Sequence, residues 1–111
     1  MRGEFIDPGA FRHELVLETA TLTGDGAGGH QKTWAEAATF LARVEPVSAQ
    51  SRFGADQTLE SVTHRVTLRM RGGVEAGMRL RRGGRVYDIV TVHDPDESGR
   101  YLVCRVREAL P

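Results

Sequence analysis

The sequence has one cysteine, Cys104, one lysine, Lys32, and aromatic residues at only 6% of its 111 positions. One thiol cannot close a disulfide within the chain or build a Cys-based zinc site, so we expect a protein made in a reducing, intracellular environment. No apolar run approaches the ~20 residues that cross a bilayer, and the N-terminus lacks the apolar core of a signal peptide. The sequence therefore predicts no contact with a membrane.

The chain also lacks net charge, because 15 Lys and Arg balance 15 Asp and Glu. The electrostatic field of the whole molecule will therefore not attract nucleic acid, so any electrostatic function must depend on a local cluster of charges. The charges are divided unevenly, with −4 over residues 1–60 and +4 over residues 61–111. Fourteen of the 15 basic residues are arginine, which suits bidentate recognition of anions or interfaces and would equally follow from GC-rich coding.

The length and the 40% hydrophobic content predict one domain over residues 1–111 with a small core. Apolar and polar residues alternate most clearly over residues 62–71, which predicts a strand with one buried face. We expect Val66 and Leu68 on the buried face. The outward row of this strand is Arg65, Arg69 and Arg71.

Similar but weaker patterns predict further strands, and the last of them places Leu102 and Cys104 in the core. The fold class is therefore mainly β, a small antiparallel β-barrel of five to six strands with one long loop or short helix. The non-strand segments are an N-terminal arm (1–8), a Gly-rich loop (24–30) and the long loop (48–60). The further strands are predicted over residues 11–23, 39–47, 78–81, 86–92 and 101–107.

Patterns associated with catalysis or cofactors are weak. Residues 24–29 match G-x-G-x-x-G, but a strand-like run follows where a dinucleotide site needs a helix. The histidines are isolated, and Cys104 is predicted to be buried and inert. The segment 93–97 reads as an acidic turn, with a metal site on His93, Asp94 and Asp96 as a minor alternative. We expect no enzyme, no cofactor and no metal.

Arginines also surround the Gly83-Gly84 turn. Arg79 and Arg81, together with the outward row of residues 62–71, could form a basic surface for a phosphate backbone or an acidic protein face. Interleaved aromatic residues, which would stack on bases, are missing. A stand-alone nucleic-acid-binding barrel with an Arg-rich face stays open as an alternative function.

A series of short motifs occurs in the order and spacing of one known family. It comprises residues 9–17, Gly28-Gly29, Thr33-Trp34, 42–48, 62–69, 77–80, 84–89 and 102–105. In this series the chain resembles the tailed-phage head–tail joining family of head-closure, or stopper, proteins, which includes connectors of prophages and gene transfer agents. The resemblance covers residues ~9 to 108.

The resemblance implies a structural protein that forms a ring between the portal–adaptor and the tail of a phage-like particle and helps to retain DNA. Its partners would be five or eleven further copies, adaptor and portal proteins above, a tail terminator or tail tube below, and DNA in the channel. It would assemble in the host cytoplasm and then belong to the virion. In a head-to-tail ring, the acidic half of one copy could meet the basic half of the next.

The resemblance also assigns roles to residues. Trp34, Phe40, Val44 and Pro46 match structural framework positions. The segment 48–60 matches a long connection that faces the lumen or a partner, with Arg52, Phe53 and Gln57 as the contact residues.

Overall fold

A computed structural model describes residues 6–24, 26–47 and 62–109. A 3-10 turn at Pro8–Ala10 precedes six strands. The strands are β1 (His13–Gly24), β2 (His30–Pro46), β3 (His64–Arg69), β4 (Arg79–Arg82), β5 (Arg85–His93) and β6 (Tyr101–Ala109).

The six strands form one antiparallel sheet in the order β1-β2-β3-β6-β5-β4, which closes on itself. The closing contact is short: only Val16–Glu18 of β1 pair with Arg79–Arg81 of β4. Because β4 has four residues and β2 has 17, the closed sheet is not a regular barrel. The predicted fold class, mainly β with five to six antiparallel strands, is confirmed.

The core lies inside this ring and is built from alternate residues of the strands. Tyr87 is its largest fully buried side chain, and Val74 and Met78 contribute from the connection between β3 and β4. Such alternation is what a sheet with one buried face requires. The remaining buried core residues are Leu15, Leu17, Ala42, Val66, Leu68, Leu80, Ile89, Leu102, Cys104 and Val106.

The second strand is longer than the sequence predicted. A strand was expected from residue 39, but β2 already begins at His30. It pairs with β1 up to the last pair, Gly24 opposite His30. The alternation is weak over residues 30–38 because this part of the strand lies mostly in solvent. A register shift beside Leu17 and Glu18 separates the core part of the hairpin from the outer part.

Two connections leave the sheet at opposite ends. Because β1 and β2 run antiparallel, the tip that follows β1 (residues 24–30) and the connection that follows β2 start at opposite ends of the sheet. The predicted long loop, with Arg52, Phe53 and Gln57, lies outside the described residues. Its base is fixed, because the Val47 N–H donates to the Thr63 carbonyl at 2.9 Å.

One core group invites a simple test. The Tyr87 hydroxyl is buried without a hydrogen-bond partner in the part of the chain that the structure describes, which costs free energy. Tyr87→Phe is therefore expected to leave the free energy of unfolding unchanged or raise it by up to about 1 kcal/mol. Denaturant melts against Tyr101→Phe as a control check this, and a clear loss of stability in Tyr87→Phe alone would contradict it.

Candidate assembly surfaces

The charges of the two halves of the chain meet within one molecule. Glu18 and Glu45, from the acidic half, pair with arginines of β4 and β3. This follows from topology, because β1 pairs with β4 and β2 pairs with β3. These pairs are therefore satisfied inside each copy. The expectation that the two halves also meet between subunits stays a prediction for the charges that lie outside these pairs.

The Glu18 cluster comprises Glu18, Trp34, Glu36, Arg79 and Arg81. The Glu18 carboxylate accepts from Arg79 Nε at 2.6 Å and from Arg81 Nε at 2.9 Å, and Glu36 lies 3.8 Å from Arg81. Glu18 is only 6% exposed. Burial by itself raises the pKa of Glu18, but the hydrogen bonds and charges of Arg81 and Arg79 outweigh it and lower the pKa below its ordinary value.

Trp34 connects this cluster to the outer part of the hairpin. The Arg79 guanidinium lies 4.2 Å from the centroid of the Trp34 ring, and Lys32 Nζ lies 5.3 Å from it. These are cation–π distances. The predicted framework residue Trp34 is half-buried here and holds the hairpin against β4.

The other predicted arginines lie on β3, just after it, or on β4, and their contacts differ. Arg65 donates to Glu45 at 3.1 Å, Arg71 lies 5.4 Å from the Phe40 ring, and Arg69 is exposed opposite Tyr101. Arg79 and Arg81 belong to the Glu18 cluster. Arg65 and Arg69 lie on β3 and Arg79 and Arg81 on β4, two strands that are not neighbours in the sheet. A stand-alone nucleic-acid-binding role stays a prediction.

Two exposed arginines on β6 were not singled out from the sequence. Arg105 and Arg107 alternate with buried Cys104 and Val106, so period-2 alternation already places them on the outer face. Arg105 lies directly opposite Arg65 in the β3–β6 register. Like charges in this position destabilise a sheet unless an acidic group is nearby, and here Glu45 bonds to Arg65.

A polar network fixes the base of the segment between β2 and β3. Thr63 Oγ1 accepts from the Glu108 N–H at 2.7 Å and lies 2.9 Å from His64 Nδ1. Arg85 donates twice to the Glu108 carboxylate, at 2.8 and 2.9 Å. Burial lowers the pKa of His64, and its ring packs edge-on against Tyr87 at 5.2 Å. These contacts form a platform of Thr63, His64, Arg85 and Glu108, which fixes the chain where the segment rejoins the sheet.

The acidic turn after β5 is closed by its own carboxylates. Asp94 accepts from the Gly99 N–H at 2.7 Å, and Asp96 accepts from the Ser98 hydroxyl at 2.7 Å. Both carboxylates therefore accept hydrogen bonds from within the turn itself, as in Asx-type turns. Over residues 6–24, 26–47 and 62–109, no three His, Cys, Asp or Glu side chains are grouped to hold a metal ion.

The predicted framework residues occupy different depths. Val66, Leu68, Leu102 and Cys104 are buried, and burial raises the pKa of the Cys104 thiol to about 12. The others lie along β2, where Phe40 and Val44 are half-buried against the core and Pro46 is exposed at the end of the strand.

A pocket of about 450 Å³ opens on the surface beside β2 and the end of β3. It is called the apolar pocket here because five of its seven lining residues are apolar, the other two being arginines. Leu41 and Met70 line it and are 56% and 38% exposed. Phe11 lies in its wall and packs edge-on against Tyr101 at 5.8 Å. The remaining lining residues are Phe40, Leu68, Arg69 and Arg71.

The outer part of the β1–β2 hairpin, here called the hairpin extension, comprises residues 19–24 and 30–36. Pairing to β4 ends at Glu18 and pairing to β3 begins only at Ala42, so both outer edges of the extension lack a strand partner among the described residues. Most of its side chains are exposed on both faces, and Leu22 is 64% exposed. Isolated two-stranded hairpins are marginally stable in water, so this element is suited to pack against another surface.

Comparison with known proteins settles the family. The family model of the phage head completion protein matches residues 6–109. The chain belongs to that family. The sequence-based resemblance to head-closure proteins is therefore confirmed, and the family's role is structural.

Two solved structures are similar to the chain over almost its whole length. Protein SF1141 from Shigella flexneri 2a is 27% identical, with a TM-score of 0.74, covering 94% of this chain and 97% of that one. A chain in the virion of a native gene transfer agent particle is 31% identical, with a TM-score of 0.67, covering 90% and 96%. Among curated proteins none matches. Over the part of the chain that the structure describes, no helix is long and apolar enough to span a membrane.

Proposed function

We propose that this protein is the head-closure component of a phage-like particle, forming a ring of six or twelve copies between the portal–adaptor and the tail. The observation that carries the proposal is the match to the head completion family over residues 6–109, supported by a structural neighbour inside a gene transfer agent virion. Assembly takes place in the host cytoplasm, and the protein then stays in the particle.

The fold suits a part that contacts neighbours above, below and beside itself. The hairpin extension and the 48–60 segment leave the sheet at opposite ends, so one closed sheet can present two contact elements. The platform of Thr63, His64, Arg85 and Glu108 holds the base of the segment. We assign Arg52, Phe53 and Gln57 of this segment to the channel or to a ring neighbour, where they help to retain DNA.

The arginines divide between two roles in this proposal. Arg65, Arg79 and Arg81 are bonded to carboxylates and stabilise the subunit. Arg69 and Arg71 are exposed beside the apolar pocket and are assigned to contacts with a neighbouring copy or with DNA. No catalytic step is part of the function.

The proposal is tested by removing the gene from the locus that produces the particles and supplying it again from a plasmid. The expected result is packaged heads without tails that lose DNA, with tails and DNA restored by the plasmid copy. A plasmid copy carrying a stop codon is the control. Normal tailed particles in the absence of the protein would contradict the proposal.

A further inference from the structure

We propose that the hairpin extension of one copy inserts Leu22 into the apolar pocket of the next copy. This inference rests on the proposed function, since it names the lateral contact of the ring. The occupant of the pocket is thus a second copy of this chain.

The distribution of exposed apolar side chains carries the first step. Leu22, Leu41 and Met70 are the large hydrophobic residues exposed in the described ranges. Leu41 and Met70 line the pocket, while Leu22 is on the hairpin extension. The chain therefore carries an apolar protrusion and an apolar recess at different places, and covering both would remove these three side chains from water.

The geometry of the hairpin makes the contact intermolecular. Leu15 pairs with Phe40 beside the pocket, and Leu22 is seven residues further along the same strand, about 23 Å away at ~3.3 Å per residue. The Glu18 cluster ties the root of the extension to β4. Leu22 cannot fold back to the pocket of its own subunit.

The symmetry of such a contact fits a ring. A protrusion that fits a recess elsewhere on an identical chain makes a heterologous, head-to-tail interface, which closes into a ring when the rotation between copies allows. The pocket, at about 450 Å³, falls within the range of ligand-binding clefts, about 300–1,000 Å³, and so has room for a leucine side chain. The unpaired edges of the extension are available for backbone hydrogen bonds to the same neighbour.

Disulfide trapping tests the contact in assembled particles. A chain carrying both Leu22→Cys and Leu41→Cys cannot form an internal bridge, because cysteines more than about 7 Å apart cannot be joined. Cys104 is buried with a pKa of about 12, so it gives little background. Oxidation of particles with the double variant is expected to shift the chain from monomer to a ladder of cross-linked oligomers that ends at the copy number of the ring.

The control variants separate this contact from others. Leu22→Cys combined with Thr91→Cys, at an exposed position on β5, is expected to stay monomeric, and mixed Leu22→Cys and Leu41→Cys single variants are expected to stop at dimers. Dimers from Leu22→Cys alone, or a double variant that stays monomeric, would overturn the proposal. Tail joining by the same particles is scored in parallel, so tailed particles without a ladder would refute the contact and leave the proposed function standing.

Discussion

Glu18→Ala is expected to lower the free energy of unfolding by about 2 kcal/mol, because it removes the shared acceptor of two arginines. Glu18 is almost fully buried, while Arg79 and Arg81 keep a quarter to a third of their side chains exposed. Water can therefore solvate the two guanidinium groups once the carboxylate is removed. For this reason the expected loss of stability is smaller than for breaking a fully buried ion pair. Urea unfolding of the purified chain measures the change.

Glu14→Ala is the matched control, since Glu14 is exposed on the same strand and its loss is expected to change stability by less than about 0.5 kcal/mol. Equal effects of the two variants would contradict the role given to the Glu18 cluster.

The same cluster predicts a pH dependence. The pKa of Glu18 is lowered in the folded state, so its contribution to stability is fully present above the unfolded-state pKa and is lost as the pH falls through the lowered folded-state value. The stability advantage of the wild type over Glu18→Gln should therefore shrink in acid. Paired urea titrations at neutral and acidic pH measure it, and a constant difference would contradict the assignment.

Deletion of residues 49–58 is expected to abolish DNA retention while leaving the sheet folded. The β2–β3 ladder and the Val47–Thr63 hydrogen bond lie outside the deletion, and a shorter connection changes loop-closure entropy only slightly. Thermal melts of the purified variant check the fold. Counting DNA-filled, tailed particles produced with the variant checks the function.

A variant that keeps the length of the segment but replaces Arg52, Phe53 and Gln57 with serine separates chemistry from length. Loss of DNA with this variant too would assign retention to those side chains. Tailed particles that keep their DNA after the deletion would show that the segment has no part in retention.

Much of the fold could be predicted because alternation reports burial. Val66 and Leu68 on β3 alternate with polar residues, and the structure places both inside the sheet. On β6, Leu102 and Cys104 also lie inside the sheet, although the apolar Val103 between them is buried too. The first half of β2 was missed for the same reason, since residues 30–36 lie in the hairpin extension and a strand exposed on both faces leaves no alternating signal.

The candidate surfaces were harder to predict because they depend on pairings between distant strands. The arginines of β3 and β4 were singled out from the sequence. The sequence does not show, however, that Glu18 pairs with Arg79 and Arg81, which lie 61 and 63 residues further along the chain. The apolar pocket likewise joins Phe11, Leu41 and Met70 from three parts of the chain. Such sets are fixed by register and topology rather than by local pattern.

We propose that this protein closes the head by forming a ring on the portal–adaptor complex. Multi-angle light scattering of the purified chain, alone and mixed with the portal–adaptor complex from the same locus, tests it most directly. We expect the mixture to gain the mass of a complete ring of six or twelve copies. A chain that stays monomeric and leaves the mass of the complex unchanged would contradict it.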